Sequence, residues 1–164
     1  DLLLFSASRA QLVGQVIRPH LKKGGVVLCD RYADSTFAYQ GYGRGLDLAL
    51  LRQITNLATG GLVPDLTLYL DLPVEQGLER RLRLLGEEGM SNPGGQIPLW
   101  AQSDRLDTQP LEFHRRVRQG YLELAAAEPQ RWVVVNARRP VDDVQREIRD
   151  YVKARLARER ESKH

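Results

Sequence analysis

Two opposite charges stand where an apolar run stops: Val26-Val27-Leu28-Cys29 is followed at once by Asp30 and Arg31. A short apolar, β-branched run reads as a strand buried on both faces, as in a parallel sheet. Charges directly after it sit at the carboxyl end of the strand, where ligands bind in open α/β sheets. A carboxylate there can hold a metal ion or a metal-bound water. A guanidinium beside it can clamp a phosphate with two parallel hydrogen bonds. The same two residues can equally form a plain ion pair on the surface. Ser35 and Tyr39 follow four apart, on one face of a helix, with Gln40 next. Upstream, Phe5 and Arg9 are also one helical turn apart. A flat aromatic surface can stack on a base, and an arginine one turn on can donate to a ring carbonyl. The alternative for that pair is a core phenylalanine and a surface arginine.

The elements that must position these residues follow from periodicity. Leu2 to Leu21 reads as a helix, stopped by Pro19 and Gly24-Gly25. The strand Val26–Cys29 comes next, with Cys29 as a small core residue, then a short helix from Ala33 to Gln40. Gly41, Gly43 and Gly45 predict a flexible loop. Asp47 caps a helix that Gly60-Gly61 ends. A second strand spans Leu66 to Leu72, with Asp71 in a structural role near its carboxyl end, and Pro73 opens a helix bearing Arg80, Arg81 and Arg83. Residues 86–109 lose all periodicity, hold Trp100, and predict a lid. A helix with Phe113, Val117, Tyr121 and Leu124 on its core face leads to a third strand, Trp132 to Val135. A last amphipathic helix covers Val141 to Leu156, ahead of a frayed tail. Strands alternating with helices predict an α/β fold with a parallel sheet, in a single domain over 1–164.

Composition sets the bounds. Hydrophobic residues are 42% and charged ones 27%, as in an ordinary globular protein. One cysteine excludes a disulfide framework and a cysteine-rich zinc site. No apolar run is long enough to span a membrane and no signal peptide is visible, so a cytoplasmic protein is expected. The net charge of +3 suits a phosphate-rich ligand, but the arginines alternate with leucines at helical spacing. They read as solvated helix faces, which makes nucleic-acid binding a minority reading.

Asp30-Arg31-Tyr32, then Ser35, then Ala38-Tyr39-Gln40, together with Phe5 through Gln11, closely resembles the thymidylate kinase family of bacterial type. The resemblance covers nearly the whole chain apart from the lid insertion, about 88–103, and the tail. It implies a P-loop kinase-like parallel sheet flanked by helices, and transfer of the γ-phosphoryl group of ATP to dTMP with Mg2+. It implies that Phe5 stacks on thymine and Arg9 reads its carbonyl, that Ser35 and Gln40 hold the base end, and that Tyr39 crowds the sugar where a ribose 2′-hydroxyl would sit. Tyr121 resembles a family tyrosine near the deoxyribose, though its spacing fits core packing equally well. Asp30 would help hold Mg2+ and Arg31 would clamp the dTMP phosphate. An arginine flanking the lid, Arg83 or Arg80 ahead of Arg105, would meet the transferred phosphoryl group. Asn136 to Arg139, with Ala137 and Arg138 at its centre, matches the loop against adenine. Family members commonly pair as homodimers.

One family feature has no counterpart. No Gly-x-x-x-x-Gly-Lys-Ser/Thr pattern occurs in the 164 residues, and the chain opens on Asp1 inside a helix. The expectation is that the phosphate-loop strand lies upstream, and that this segment alone is neither stable nor active. A deoxynucleoside kinase and a non-catalytic nucleotide- or partner-binding module are the competing readings.

Overall fold

The computed structural model describes residues 2–91 and 109–161, with the side chains of 81, 84–91 and 159–161 excepted. In chain order, the elements open with α1 (Leu2–Leu12), a π-helical stretch (Val13–Ile17) and α2 (Arg18–Lys22). Next come α3 (Ala33–Thr36), a second π-helical stretch (Phe37–Gly43) and α4 (Leu48–Thr59). After these lie β1 (Thr67–Asp71), α5 (Val74–Ser91), α6 (Leu111–Ala127), β2 (Trp132–Asn136) and α7 (Val141–Glu161). The first three form the continuous helical path expected from Leu2 to Leu21. β1 and β2 are hydrogen-bonded neighbours. They run parallel: Thr67 N–H donates to Arg131 O at 2.7 Å, and Ala137 N–H to Asp71 O at 2.9 Å.

The chain divides into two compact units. The first holds the chain up to Thr67 together with Gln119–Val133. Its buried apolar residues are Val13, Ile17, Ala33, Ala38, Leu51, Leu124, Ala125 and Trp132. Here α1 packs on α4. Asp47 caps α4 by accepting from Leu50 N–H at 2.7 Å, and Gly60 ends it in the left-handed region at φ 58°. Arg18 then donates to Thr59 O at 3.0 Å and Gly60 O at 2.8 Å, meeting two carbonyls that the helix leaves open. The second unit holds Leu68–Arg118 and the chain from Val134 onward, with Phe113, Val117 and Val135 buried.

Three expectations change. Val26–Cys29 is not a strand: it has no regular secondary structure, with Val26 67% and Leu28 95% exposed and Cys29 exposed too. An apolar run becomes a strand only when a neighbour takes its backbone hydrogen bonds, and among the described residues none lies beside it. Gly41 and Gly43 are not in a flexible loop. They are buried in the second π-helical stretch, and a Cβ on Gly41 would come within 2.4 Å of Leu48 Cδ2. There the missing side chain serves close packing. Helix α5 continues past Gly86 to Ser91, and α7 past Leu156 to Glu161. A glycine within a helix costs only about 1 kcal/mol relative to alanine, too little to end one by itself. Most of the lid segment, with Trp100 and Arg105, lies outside the described residues.

Candidate active site

The Asp30–Gln40 segment turns on one backbone angle. Arg31 has φ 57°, the left-handed region, in which it is the only non-glycine among the described residues. That conformation costs a residue with a Cβ about 1–2 kcal/mol. It lies where the irregular stretch before Asp30 gives way to α3. A costly angle persists where its surroundings over-determine it, as at binding sites. The Arg31 guanidinium lies 5.0 Å from the Tyr39 ring centroid, and its Nη2 donates to Tyr39 OH at 3.0 Å.

Arg9 reaches the same segment from α1. Its Nη2 donates to Thr36 Oγ1 at 3.0 Å and, more weakly, to Tyr32 O at 3.4 Å. Burial lowers its pKa below the ordinary arginine value, with the Tyr32 phenol opposing. Its Nη1 is buried without a partner among the described residues, and so is Gln40 Oε1. Buried polar atoms are seldom left unpaired, so these two leave one donor and one acceptor that nothing among the described residues takes up. Phe5, one turn before Arg9, is 55% exposed, leaving its ring open to a planar ligand.

Ser35 and Tyr121 share a hydrogen bond of 2.8 Å. Tyr121 meets the Tyr39 ring edge-on at 6.3 Å and lies 6.3 Å from the Trp132 ring. Burial raises its phenol to about 12, against the opposing Ser35 hydrogen bond. Tyr121 therefore combines packing with a polar contact, where its spacing left both open. Arg9, Arg31, Ser35, Tyr39, Gln40 and Tyr121 all belong to the first unit. Tyr39 and Gln40 lie on the π-helical stretch, a helix form found often at functional sites.

Asp30 is exposed, and its carboxylate makes no hydrogen bond or ion pair among the described residues. No group of three or more metal-ligating side chains occurs among them either. Mg2+ takes one or two carboxylates beside phosphate oxygens and water, and a single unpaired Asp30 fits that donor set.

The remaining predicted residues lie in the second unit. Arg80 Nη1 donates to Ala137 O at 3.0 Å, which ties a lid-flanking arginine to the Asn136–Arg139 loop. Arg138 N–H donates to Asn136 Oδ1 at 3.0 Å, holding the loop in a tight turn. Arg83 is exposed on α5. Asp71 is structural, as expected: its carboxylate accepts two hydrogen bonds from Arg118, at 2.7 and 2.8 Å.

Sequence reasoning missed the pair that holds α3 from behind. Asp34 and Arg131 are 7% and 8% exposed, and joined by two hydrogen bonds of 2.8 Å. Arg131 also donates to Glu128 at 2.7 and 3.1 Å and to Thr67 Oγ1 at 3.0 Å. Burial opposes the Arg131 charge, and the hydrogen bonds to Asp34 and Glu128 more than reverse that effect. Asp34 stands beside two other polar residues, Ser35 and Thr36, so nothing in its local sequence hinted at the pair.

The family model for thymidylate kinase matches residues 1–148. The thymidylate kinase of Roseiflexus sp. (strain RS-1) is 54% identical over 157 residues, which cover 96% of this chain and 68% of that protein. That of Herpetosiphon aurantiacus is 56% identical, over 84% of this chain and 62% of that protein. That of Deinococcus radiodurans is 55% identical, over 90% of this chain and 64% of that protein. The chain thus spans roughly two thirds of the length of these relatives. On the breadth of these matches, the chain belongs to the thymidylate kinase family.

Proposed function

We propose that the protein carrying this chain transfers the γ-phosphoryl group of ATP to dTMP, giving dTDP and ADP. The observation that carries the reading is the buried, unpartnered pair Arg9 Nη1 and Gln40 Oε1. One is a donor and the other an acceptor. Thymine offers the complement: a C4 carbonyl for Arg9 and an N3–H for Gln40. Cytosine reverses both, setting donor against donor and acceptor against acceptor. A site that leaves buried polar groups unpaired rejects such an analogue strongly.

The other residues take roles around that pair. Phe5 stacks on the base. Tyr39 and Tyr121, with Ser35, line the sugar, and Tyr39 excludes a 2′-hydroxyl. Arg31 leaves the Tyr39 ring to clamp the dTMP phosphate as a two-pronged donor. Asp30 holds Mg2+ or its water, and the ion neutralises phosphate charge when bound. Arg83 or Arg80 steadies the equatorial oxygens of the transferred group, and Ala137 and Arg138 flank adenine. Such a reaction needs alignment and charge neutralisation more than covalent help. The amides and lysine of a phosphate loop come from outside these 164 residues, and activity needs them. We read 1–164 as part of one nucleoside-monophosphate-kinase domain with a lid over 86–109, in a cytoplasmic homodimer. Among the described residues no helix is long and apolar enough to cross a membrane.

The test is a coupled ADP-release assay on the complete gene product with dTMP, dCMP and thymidine. Turnover of dTMP with kcat/KM at least about 10³-fold above dCMP is expected. Equal use of dCMP would sink the base-reading pair, and preference for thymidine would make the protein a deoxynucleoside kinase.

A further inference from the structure

We infer that Arg131 is a positioning residue for the acceptor site, acting through Asp34 to fix the segment that carries Arg31 and Ser35. The inference rests on the dTMP reading above for its substrate, and on geometry for its logic. Arg131 lies just before β2, 97 residues from Asp34. Its guanidinium places every N–H: Nε on Glu128, Nη1 on Asp34 and Thr67, and Nη2 on Asp34 and Glu128. Its carbonyl accepts from Thr67 N–H at 2.7 Å. The group is thus held on both its side chain and its backbone, and it has no spare donor for a ligand.

Helix α3 is the first turn of a helical path that runs without a break into Phe37–Gly43, and the N–H groups of a first turn have no partner within their own helix. It starts directly after Tyr32 and Arg31, the latter at φ 57°. Asp34 is the residue of α3 that meets Arg131, while its neighbours Ser35 and Thr36 meet Tyr121 and Arg9. Freed from Arg131, the turn can relax the strained angle. Arg31 would then lose its direction, and Ser35 and Thr36 their contacts with Tyr121 and Arg9. A fork-shaped donor matched to a carboxylate gives the geometric precision this needs, and lysine cannot supply it.

The test compares Arg131→Met, Arg131→Lys and Asp34→Asn in the complete gene product, reading kcat and the KM for each substrate beside a circular-dichroism melt. The expected result is a rise of at least about tenfold in KM for dTMP in Arg131→Met, with KM for ATP within twofold of wild type, at a temperature where both are folded. Arg131→Lys should recover less than half of the loss. If Arg131→Met does not fold, Asp34→Asn keeps size and shape and must show the same selective rise. A lowered melting temperature with both KM values unchanged would overturn the inference, as would equal losses for both substrates. Wild-type failure to use dTMP would overturn the functional reading instead. The same ratio of KM values would then be read on thymidine, with the same outcomes deciding.

Discussion

The hydroxyls of Ser35 and Tyr121, 86 residues apart, lie 2.8 Å from each other and join the one-turn helix α3 to the later half of α6. The Tyr121 ring also meets the Tyr39 ring in a T-shaped contact, so one phenol touches both the turn and the helix that follows it. Its burial gives it a titration that can be followed directly.

Tyr121 has a folded-state value of about 12 against an ordinary 10. A raised value means that its contribution to stability is complete below pH 10 and is lost as pH rises toward 12. Within that window stability should fall by up to about 1.4 kcal/mol per pH unit. Tyr121→Phe removes this slope and the tyrosinate absorbance component near pH 12. An unchanged absorbance titration in the variant would contradict the assignment.

Glu128 responds in the opposite direction. The Arg131 hydrogen bond holds its carboxyl below the ordinary 4.5, against the opposing effect of burial. Its stabilising contribution is therefore present above pH 4.5 and disappears as pH falls through the lowered value. Melting temperature plotted against pH should decline less steeply below 4.5 in Glu128→Gln than in wild type. Parallel curves would show that the pair adds no acid sensitivity.

Two glycines should respond with opposite signs to alanine. A Cβ on Gly120 would lie 2.5 Å from Tyr42 Cγ and 2.7 Å from Tyr42 Cβ, atoms near the backbone that cannot swing away. Gly120→Ala should cost about 1–3 kcal/mol. Around Gly14 nothing lies within 4 Å, and Gly14→Ala should stabilise by about 0.5–1 kcal/mol. Urea unfolding of both variants checks the pair, and a stabilised Gly120→Ala would refute the close approach.

The left-handed angle of Arg31 separates backbone from side chain. Arg31→Gly should be more stable than Arg31→Ala by about 1 kcal/mol, since only glycine takes φ 57° freely. Both should lose dTMP affinity by about 10- to 100-fold, the worth of hydrogen bonds to a charged group. Calorimetric titration with dTMP beside urea unfolding tests the two effects at once. Equal stability of the two variants would show that the angle carries no strain.

Local patterns in the sequence foretold much of this. The one-turn spacing of Phe5 and Arg9 and of Ser35 and Tyr39 places each pair on a helix, as found. The Asp47 cap and the Gly60 stop bound α4 as read. What escaped was non-local. Asp34 and Arg131 stand 97 residues apart, and neither one's type or spacing announces the other. Val26–Cys29 has the composition of a strand, but a strand is a property of two segments and composition describes one. The glycines after Gln40 suggested freedom because their usual role is in turns; at Gly41 the absence of a side chain admits Leu48 instead.

The second π-helical stretch, Phe37–Gly43, has a final consequence for how the protein tolerates change. A wide helical turn holds one residue more than an α-helical turn over the same path. Deleting one residue between Phe37 and Gly43 would let the stretch tighten into α-helical turns over the same path, leaving the chain beyond it in place but re-phasing the residues inside it, Gln40 among them. Substitutions there alter one side chain at a time, whereas a single-codon deletion would redirect Gln40 and its neighbours together. Length therefore sets where these side chains face, and variant libraries that keep the count of this segment should retain Gln40 in place far more often than libraries that shorten it.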